Sequence, residues 1–438
     1  MPGPGALEIG ARRGDNLFMK VLVANDLYGR SSAAGVAVRM AEGLAARGHE
    51  TTFLATTQTP RGSQRFEAGG VEVFLEETPA YNPRWRAWRS LENPAGVAAL
   101  GRVVAERKPD LVHIHNLHIH LSYAALGEAR RLGARTLLHV HDIMPVCHQK
   151  LFCHLDERLR PGDEVTYRSG PVKCAVCVRG RYNPLRNGRI KRVLERDVDR
   201  LLAVSDEMGA ALAQNGIGPA QTVFNGLSEA CADPEPAAVA ALAERLGVTG
   251  RPVVLTGGRI DRLKGGLELV EAMAAVVRHV PDVVLLLVGD ALPGFFEEMS
   301  ALADRNGLGS ERLVHTGWLS GGELQAAYGL ADVVVSPSLC FESFGLVNLE
   351  AMAAGCPVVA SMWGGPSDVV VDGETGFLVN PLQTAVLADR LRRLLQDPAV
   401  ASRMGAAGRR RVRDVFGLQQ QLDAVESIYD DLLQDTPR

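Results

Sequence analysis

Short apolar runs recur along the chain, each followed by a stretch whose apolar residues fall every three or four positions. The runs predict strands buried on both faces, and the stretches predict helices packed upon them. That alternation is the pattern of α/β domains with parallel sheets. In the first half, Lys20–Asn25 predicts a strand, Ser31–Gly35 a small-residue loop and Val36–Arg47 a helix. Thr51–Ala55, Val71–Phe74, Leu111–His115, Thr136–His141 and Leu201–Ser205 predict further strands, with Thr222–Gly226 completing the set. Pro234 and Pro236 mark a boundary. The second half starts afresh with strand patterns at Val253–Thr256, Val283–Val288, Leu313–Thr316, Val333–Ser336 and Val358–Ala360. Two Rossmann-like, doubly wound domains facing across a cleft are expected, alike in architecture but not in sequence.

Length agrees with that division, because 438 residues suit two domains of about 200 residues better than one core. A charged content of 22% and a net charge of −4 exclude a nucleic-acid binder of the ordinary basic kind. No apolar run approaches the ~20 residues of a membrane span. Residues 1–18 lack an apolar signal core and are expected to be a flexible tail, with Met19 directly before the first strand. Seven cysteines in so long a chain do not form the framework of a small secreted protein, so a cytoplasmic location is expected.

The stretch from Glu342 to Glu350, Glu-Ser-Phe-Gly-Leu-Val-Asn-Leu-Glu, carries the most chemistry. Asp332–Ser336 ahead of it is strand-like, Gly345 suits a tight strand-to-helix turn, and Leu346–Ala354 predicts a helix stopped by Gly355 and Pro357. Glu342 then lies in the loop and Glu350 a turn or two into the helix. The helix N-terminus between them favours an anion. Two carboxylates bracketing an anion site suit a ligand with hydroxyls at both ends and phosphates between, as in a sugar nucleotide.

With Ala351–Ala360, Gly364-Gly365, Asp372–Val379 and Gly258–Gly265, this stretch resembles the donor-site signature of the retaining family 4 glycosyltransferases. The resemblance covers most of residues 253–380 and is looser in the N-terminal half. It implies the GT-B fold, with an N-terminal acceptor domain over 19–226, a donor domain over 227–415 and a C-terminal helix within 416–438 crossing back to the first domain. It implies that Glu350 holds the ribose hydroxyls, that Glu342 reaches the donor sugar, and that Phe344, Gly345 and Leu346 offer backbone N–H groups to phosphate. Where family members often have Pro after the first Glu, this chain has Ser343. Arg259 and Lys264, after the first strand of the second half, are placed to stabilise the charge growing on a diphosphate leaving group. They take over what a divalent ion does in other transferases, so no catalytic metal is expected.

Several matches are partial. His141-Asp142 resembles the His-Asp at the family's cleft edge, where the histidine donates to sugar or phosphate. Gly35 ends a loop that has fewer glycines than the family's. After the strand Val283–Val288 the family usually has Gly-x-Gly, and Gly289-Asp290 followed by Ala-Leu-Pro departs from it, so a nucleotide contact at Asp290 and a plain turn are both open. His113, His115, His118, His120 and His139 alternate nearby, as strand and loop side chains do, and a histidine-only metal site is the weaker reading.

The insertion over about 143–185 holds Cys147, Cys153, Cys174 and Cys177, the last two as Cys-x2-Cys. Four thiolates from two short segments can close a tetrahedral structural zinc site, and idle buried thiols are the alternative. Pro83–Arg89 interleaves Trp85 and Trp88 with arginines. Residues 179–196 carry seven Lys/Arg against the single acid Glu195. Either stretch suits peripheral contact with the inner membrane face or a solvated surface.

The expectation is therefore a retaining GT-B glycosyltransferase. It moves sugar from a nucleotide-diphosphate donor to a hydroxyl acceptor, a glycan or lipid-linked glycan, in surface polysaccharide, glycolipid or glycoconjugate synthesis. The alternatives are an epimerase or phosphorylase on the same scaffold and a non-catalytic sugar-nucleotide binder. The full set Arg259, Lys264, Glu342 and Glu350 argues against an inert scaffold. An NAD dehydrogenase needs Gly-x-Gly-x-x-Gly after the first strand, and Asn25–Ser31 does not supply it.

Overall fold

The computed structural model describes residues 18–435 apart from 30–31, 60, 148, 179–182 and 229–233. Two sheets organise it. The first has eight strands: β1 (Lys20–Leu27), β2 (Glu50–Thr57), β3 (Gln64–Ala68), β4 (Val71–Glu77), β5 (Leu111–Ile114), β6 (Arg135–Val140), β7 (Arg200–Ala203) and β8 (Gln221–Thr222). Their spatial order is β3-β4-β2-β1-β5-β6-β7-β8. The second has six: β9 (Val253–Gly257), β10 (Val284–Val288), β11 (Leu313–Gly317), β12 (Val333–Ser336), β13 (Val358–Ser361) and β14 (Gly376–Val379), in the order β11-β10-β9-β12-β13-β14. Their pairs are parallel, except that β3 runs antiparallel to β4 at an edge. Central strands such as Val253–Leu255 and Val284–Leu287 are fully buried, because helices cover both faces.

Four boundaries differ from the hydrophobic pattern. The strand β3 is largely exposed and polar, so it lacks the apolar run that marks its neighbours. Gly376–Val379 was matched only as part of the donor signature, and it pairs with β13 as an edge strand. The pairing of β8 spans only Gln221–Thr222, where Thr222–Gly226 was expected. The first helix covers Ser32–Ala46, so Gly35 lies buried within its first turn and does not precede it.

The last helix, Leu418–Gln434, returns to the first sheet. Leu422, Val425, Ile428 and Leu432 are buried there with Met19, Val21 and Val23 of the first strand region. Each such side chain contributes about 1.5–3 kcal/mol by leaving water. Arg47 and His49 bind Glu426 at 2.6 and 3.0 Å. The buried Tyr429 hydroxyl shares a 2.7 Å hydrogen bond with His113 Nδ1.

Tyr429→Phe leaves that imidazole nitrogen unpaired inside the sheet and should cost about 1–3 kcal/mol. Scanning calorimetry should show a Tm several degrees lower, and an unchanged Tm would remove the hydrogen bond from the helix's anchorage.

Candidate active site

The site is built on the carboxyl ends of β9, β12 and β13, where open α/β sheets hold ligands. Gly345 has φ +89°, the conformation that begins the helix Leu346–Ala353. Glu342 is gripped through its backbone. Its N–H donates to Trp363 O at 3.1 Å, and its carbonyl accepts from Gly365 N–H at 2.8 Å. A Cβ on Gly364, at φ +86°, would stand 2.3 Å from Glu342 O, and one on Gly365 2.3 Å from Ser343 O. Only two glycines allow this approach.

The partly buried Glu342 carboxylate pairs with Lys264 and accepts from Ser338 Oγ at 3.0 Å. Lys264 closes a single turn, Arg262–Lys264, that begins at Asp261, whose carboxylate accepts the Lys264 N–H at 2.9 Å. Asp261 also pairs with Arg259. Burial works against charge on Glu342, but Lys264 outweighs it and holds the carboxyl below its ordinary value. For Lys264, burial is likewise outweighed by Glu342, and the ammonium's pKa is raised.

Glu350 lies one helical turn deeper, on a separate cavity of about 580 Å³ that both domains line. Ser32 and Arg39 come from the first helix; Gly257, Gly289, Trp318, Tyr328 and Leu346 come from the second domain. The Tyr328 hydroxyl donates to Glu350 at 2.8 Å. Burial raises the Glu350 carboxyl, with Tyr328 and Arg39 opposing it. Asp290 is exposed and turns the chain through its carbonyl, which accepts from Ile260 N–H at 2.9 Å; the cavity is lined by Gly289 beside it. The Phe344 side chain is core, against Phe224 and Phe416.

His141 is buried, and its Nε2 shares a 2.6 Å hydrogen bond with His115 Nδ1. Burial and the neighbouring histidines hold it neutral, far below its ordinary pKa. His118 pairs with Asp142 at 3.1 Å. One nitrogen each of His113, His115 and His139 lies within 4.8 Å of the others. Yet the rings stack near-parallel, at 15° for His113 on His115 and 23° for His113 on His139. An ion must lie in the plane of every imidazole that binds it, so stacked rings suit packing and not ligation.

Sequence reasoning missed several residues. Asp26 accepts N–H groups from Ile119, His120 and Leu121 at 2.7–2.8 Å and fixes the loop after β5. Trp318, Tyr328 and Arg39 lie far from the signature, and only folding brings them to Glu350. Lys150 comes from the cysteine-bearing insertion, and its carbonyl accepts from Phe341 N–H at 3.2 Å. Desolvation, then repulsion by Lys264 and Arg259, lowers its pKa. The basic stretch is also less free than expected. Arg186 is buried and donates to Met144 O at 2.7 Å, and Arg196 pairs with Asp197 at 2.6 Å. Arg179 and Arg181 lie outside the described residues.

The "Glycosyl transferase 4-like domain" family model matches residues 33–227, and the "Glycosyl transferases group 1" model matches residues 241–411. The GDP-mannose-dependent alpha-(1-6)-phosphatidylinositol monomannoside mannosyltransferase of Mycolicibacterium smegmatis is 36% identical over 378 residues, 78% of this chain and 89% of that one. The D-inositol 3-phosphate glycosyltransferase of an Arthrobacter species is 42% identical over 166 residues, 37% of this chain and 39% of that one. Sucrose-phosphate synthase from Thermosynechococcus elongatus superposes with a TM-score of 0.73 and 25% identity, over 94% of this chain and 99% of that one. Anabaena HepE, solved with UDP and glucose, superposes at 0.71 over 94% and 99% and, at 20% identity, shares the fold. The chain belongs to the family 4-type glycosyltransferases and has their GT-B fold.

The Lys264–Glu342 pair has a definite pH window. Glu342, with its pKa lowered on folding, adds stability above the ordinary carboxylate pH that is lost as pH falls through its folded value. Lys264, with its pKa raised, adds stability that is lost only as pH rises through its own folded value. Lys264→Met leaves the carboxylate uncompensated, which should cost about 1–3 kcal/mol near about pH 7. Calorimetry should find the deficit shrinking as pH falls and the uncompensated Glu342 carboxylate takes up a proton; a deficit independent of pH would reject the pair.

Proposed function

We propose that this transferase moves a hexosyl group, with retention, from a nucleoside-diphosphate sugar to a hydroxyl of a membrane-anchored glycan. The observation that carries the proposal is the pairing of two sites: Lys264, Arg259 and Glu342 at one end and Glu350 in the shared cavity at the other. Glu350 accepts the ribose hydroxyls in charge-assisted bonds. Trp318 offers a face to the base, and the turn at Gly345 and Leu346 receives the diphosphate. Arg259 and Lys264 neutralise the leaving diphosphate, so no catalytic metal takes part. The bond from sugar C1 to the β-phosphate oxygen breaks while the acceptor oxygen attacks the same face, and the acceptor proton passes to the leaving phosphate. Neutral His141 serves as a hydrogen-bond partner of the sugar, which fits its suppressed basicity.

The lipid side rests on Trp85 and Trp88, exposed at 60% and 46% beside the exposed Arg84 and Arg89. Indole rings and guanidinium groups together suit an anionic bilayer surface. No helix among the described residues is long and apolar enough to cross a membrane.

Lys264→Ala should lower kcat about 100-fold, the ~3 kcal/mol of one lost transition-state contact, with little change in nucleotide affinity. Glu350→Gln should abolish the thermal shift given by the matching bare nucleotide, GDP or UDP. Glu342→Gln should keep that shift while losing turnover of GDP-mannose or UDP-glucose. Equal loss of nucleotide binding in both glutamine variants would refute the division of roles, and normal turnover in Lys264→Ala would refute the leaving-group role.

Sedimentation with anionic vesicles should pellet the protein at low salt and release it as salt rises. Replacing Trp85 and Trp88 by Ser should abolish pelleting; failure of the wild type to pellet would reject membrane contact.

A further inference from the structure

The segment between β6 and β7 is more than an insertion, because it crosses the cleft. Phe341 N–H donates to the Lys150 and Leu151 carbonyls, both at 3.2 Å, and Gly364 N–H donates to the Tyr167 hydroxyl at 3.0 Å. The His154 ring meets Trp363 edge-on at 5.1 Å, and Asn380 Nδ2 donates to Asp156 O at 2.8 Å. This strap therefore touches Phe341, Trp363 and Gly364, the residues that hold Glu342. It also carries Lys150 to the cations there. Lys150 and Leu151 adopt φ of +60° and +47°, a conformation that side chains rarely take without outside support.

Packing alone does not supply that support. The helix Pro171–Val178 has eight residues and buries only Val178, while Val172 and Val176 are 76% and 74% exposed. So short a helix is marginal in water without tertiary contacts. What it does present is Cys174 and Cys177, three residues apart and so on one face. With Cys147 and Cys153 they line one cavity of about 30 Å³. Such a volume admits a single ion, since about 10–15 Å³ holds one water-sized occupant. Among the described residues no carboxylate shares the lining, and all four thiols are free.

We propose that Cys147, Cys153, Cys174 and Cys177 bind one zinc ion that clasps the strap and so fixes Lys150 and Tyr167 against the donor site. Four thiols lose four protons and become the four ligands of a closed tetrahedral site, with no position left for substrate. Zinc–sulfur bonds of about 2.3 Å place tetrahedral sulfurs about 3.8 Å apart. Among the described residues no three of these thiols lie within 4.8 Å of one another, so the ion draws the strap tighter. The role is positional and stands whether or not the transferase reading of the donor site holds.

The test is elemental analysis of the full chain purified with neither chelator nor added metal. One zinc per chain is expected, with the four thiols slow to titrate until a chelator removes the ion. The Cys174→Ser/Cys177→Ser variant should contain none, whereas Cys153→His, which keeps a ligand, should retain it. Zinc removal should open residues 149–170 to limited proteolysis and lower the Tm. Metal-free wild type with all four thiols titratable in the folded state overturns the proposal, as does a disulfide among them. Iron with visible absorption overturns the choice of zinc. Zinc present but strap proteolysis unchanged on its removal overturns the clasp.

Discussion

The backbone of Glu342 is the fixed point of this molecule. Gly364 and Gly365 press on its carbonyl and that of Ser343 at a distance no side chain allows. Trp363 O and Gly365 N–H complete the clamp. The carboxylate is then aimed at Lys264, and Lys264 is aimed in turn by Asp261 through a single helical turn. The charges at the carboxyl edge of the second sheet follow from this one close approach. Under the proposed function, a diphosphate arriving there would meet cations already oriented, the arrangement that favours charge development over mere binding.

The two domains meet around the same point. Ser205 Oγ donates to Ser343 O at 2.7 Å, Phe224 packs on Phe344, and Tyr167 reaches Gly364. The first domain thus holds the backbone around Glu342, while the last helix ties the second domain back to the first sheet. Ser32 and Arg39 line the cavity at Glu350 from the opposite domain. Any relative movement of the domains therefore changes the cavity and the clamp together.

The two carboxylates, Glu342 and Glu350, differ in their electrostatics for a clear reason. Glu342 has a cation beside it, so burial does not prevent its ionisation. Glu350 has a hydroxyl as its main partner, so burial raises its pKa. The stacked histidines of the first sheet are buried rings, and burial holds His115 well below its ordinary pKa.

The strands, their parallel arrangement and the donor signature were legible in the chain, because each rests on local rules. Buried parallel strands must be apolar runs, a strand-to-helix turn wants glycine at Gly345, and Glu342 and Glu350 sit on either side of it. The exposed strand β3 was not legible, since an edge strand needs no apolar run. Nor was the burial of Arg186, whose partner Met144 O is 42 residues away in the chain. Tyr328, Trp318, Arg39 and Lys150 join the site from four separate segments, and only the packing of two sheets decides which polar side chains converge. The sequence by itself determined most of the elements and the charged groups at the carboxyl edge of the second sheet. The tertiary structure decided their partners, because hydrogen bonds and charges act over a few ångströms of space whatever the separation along the chain.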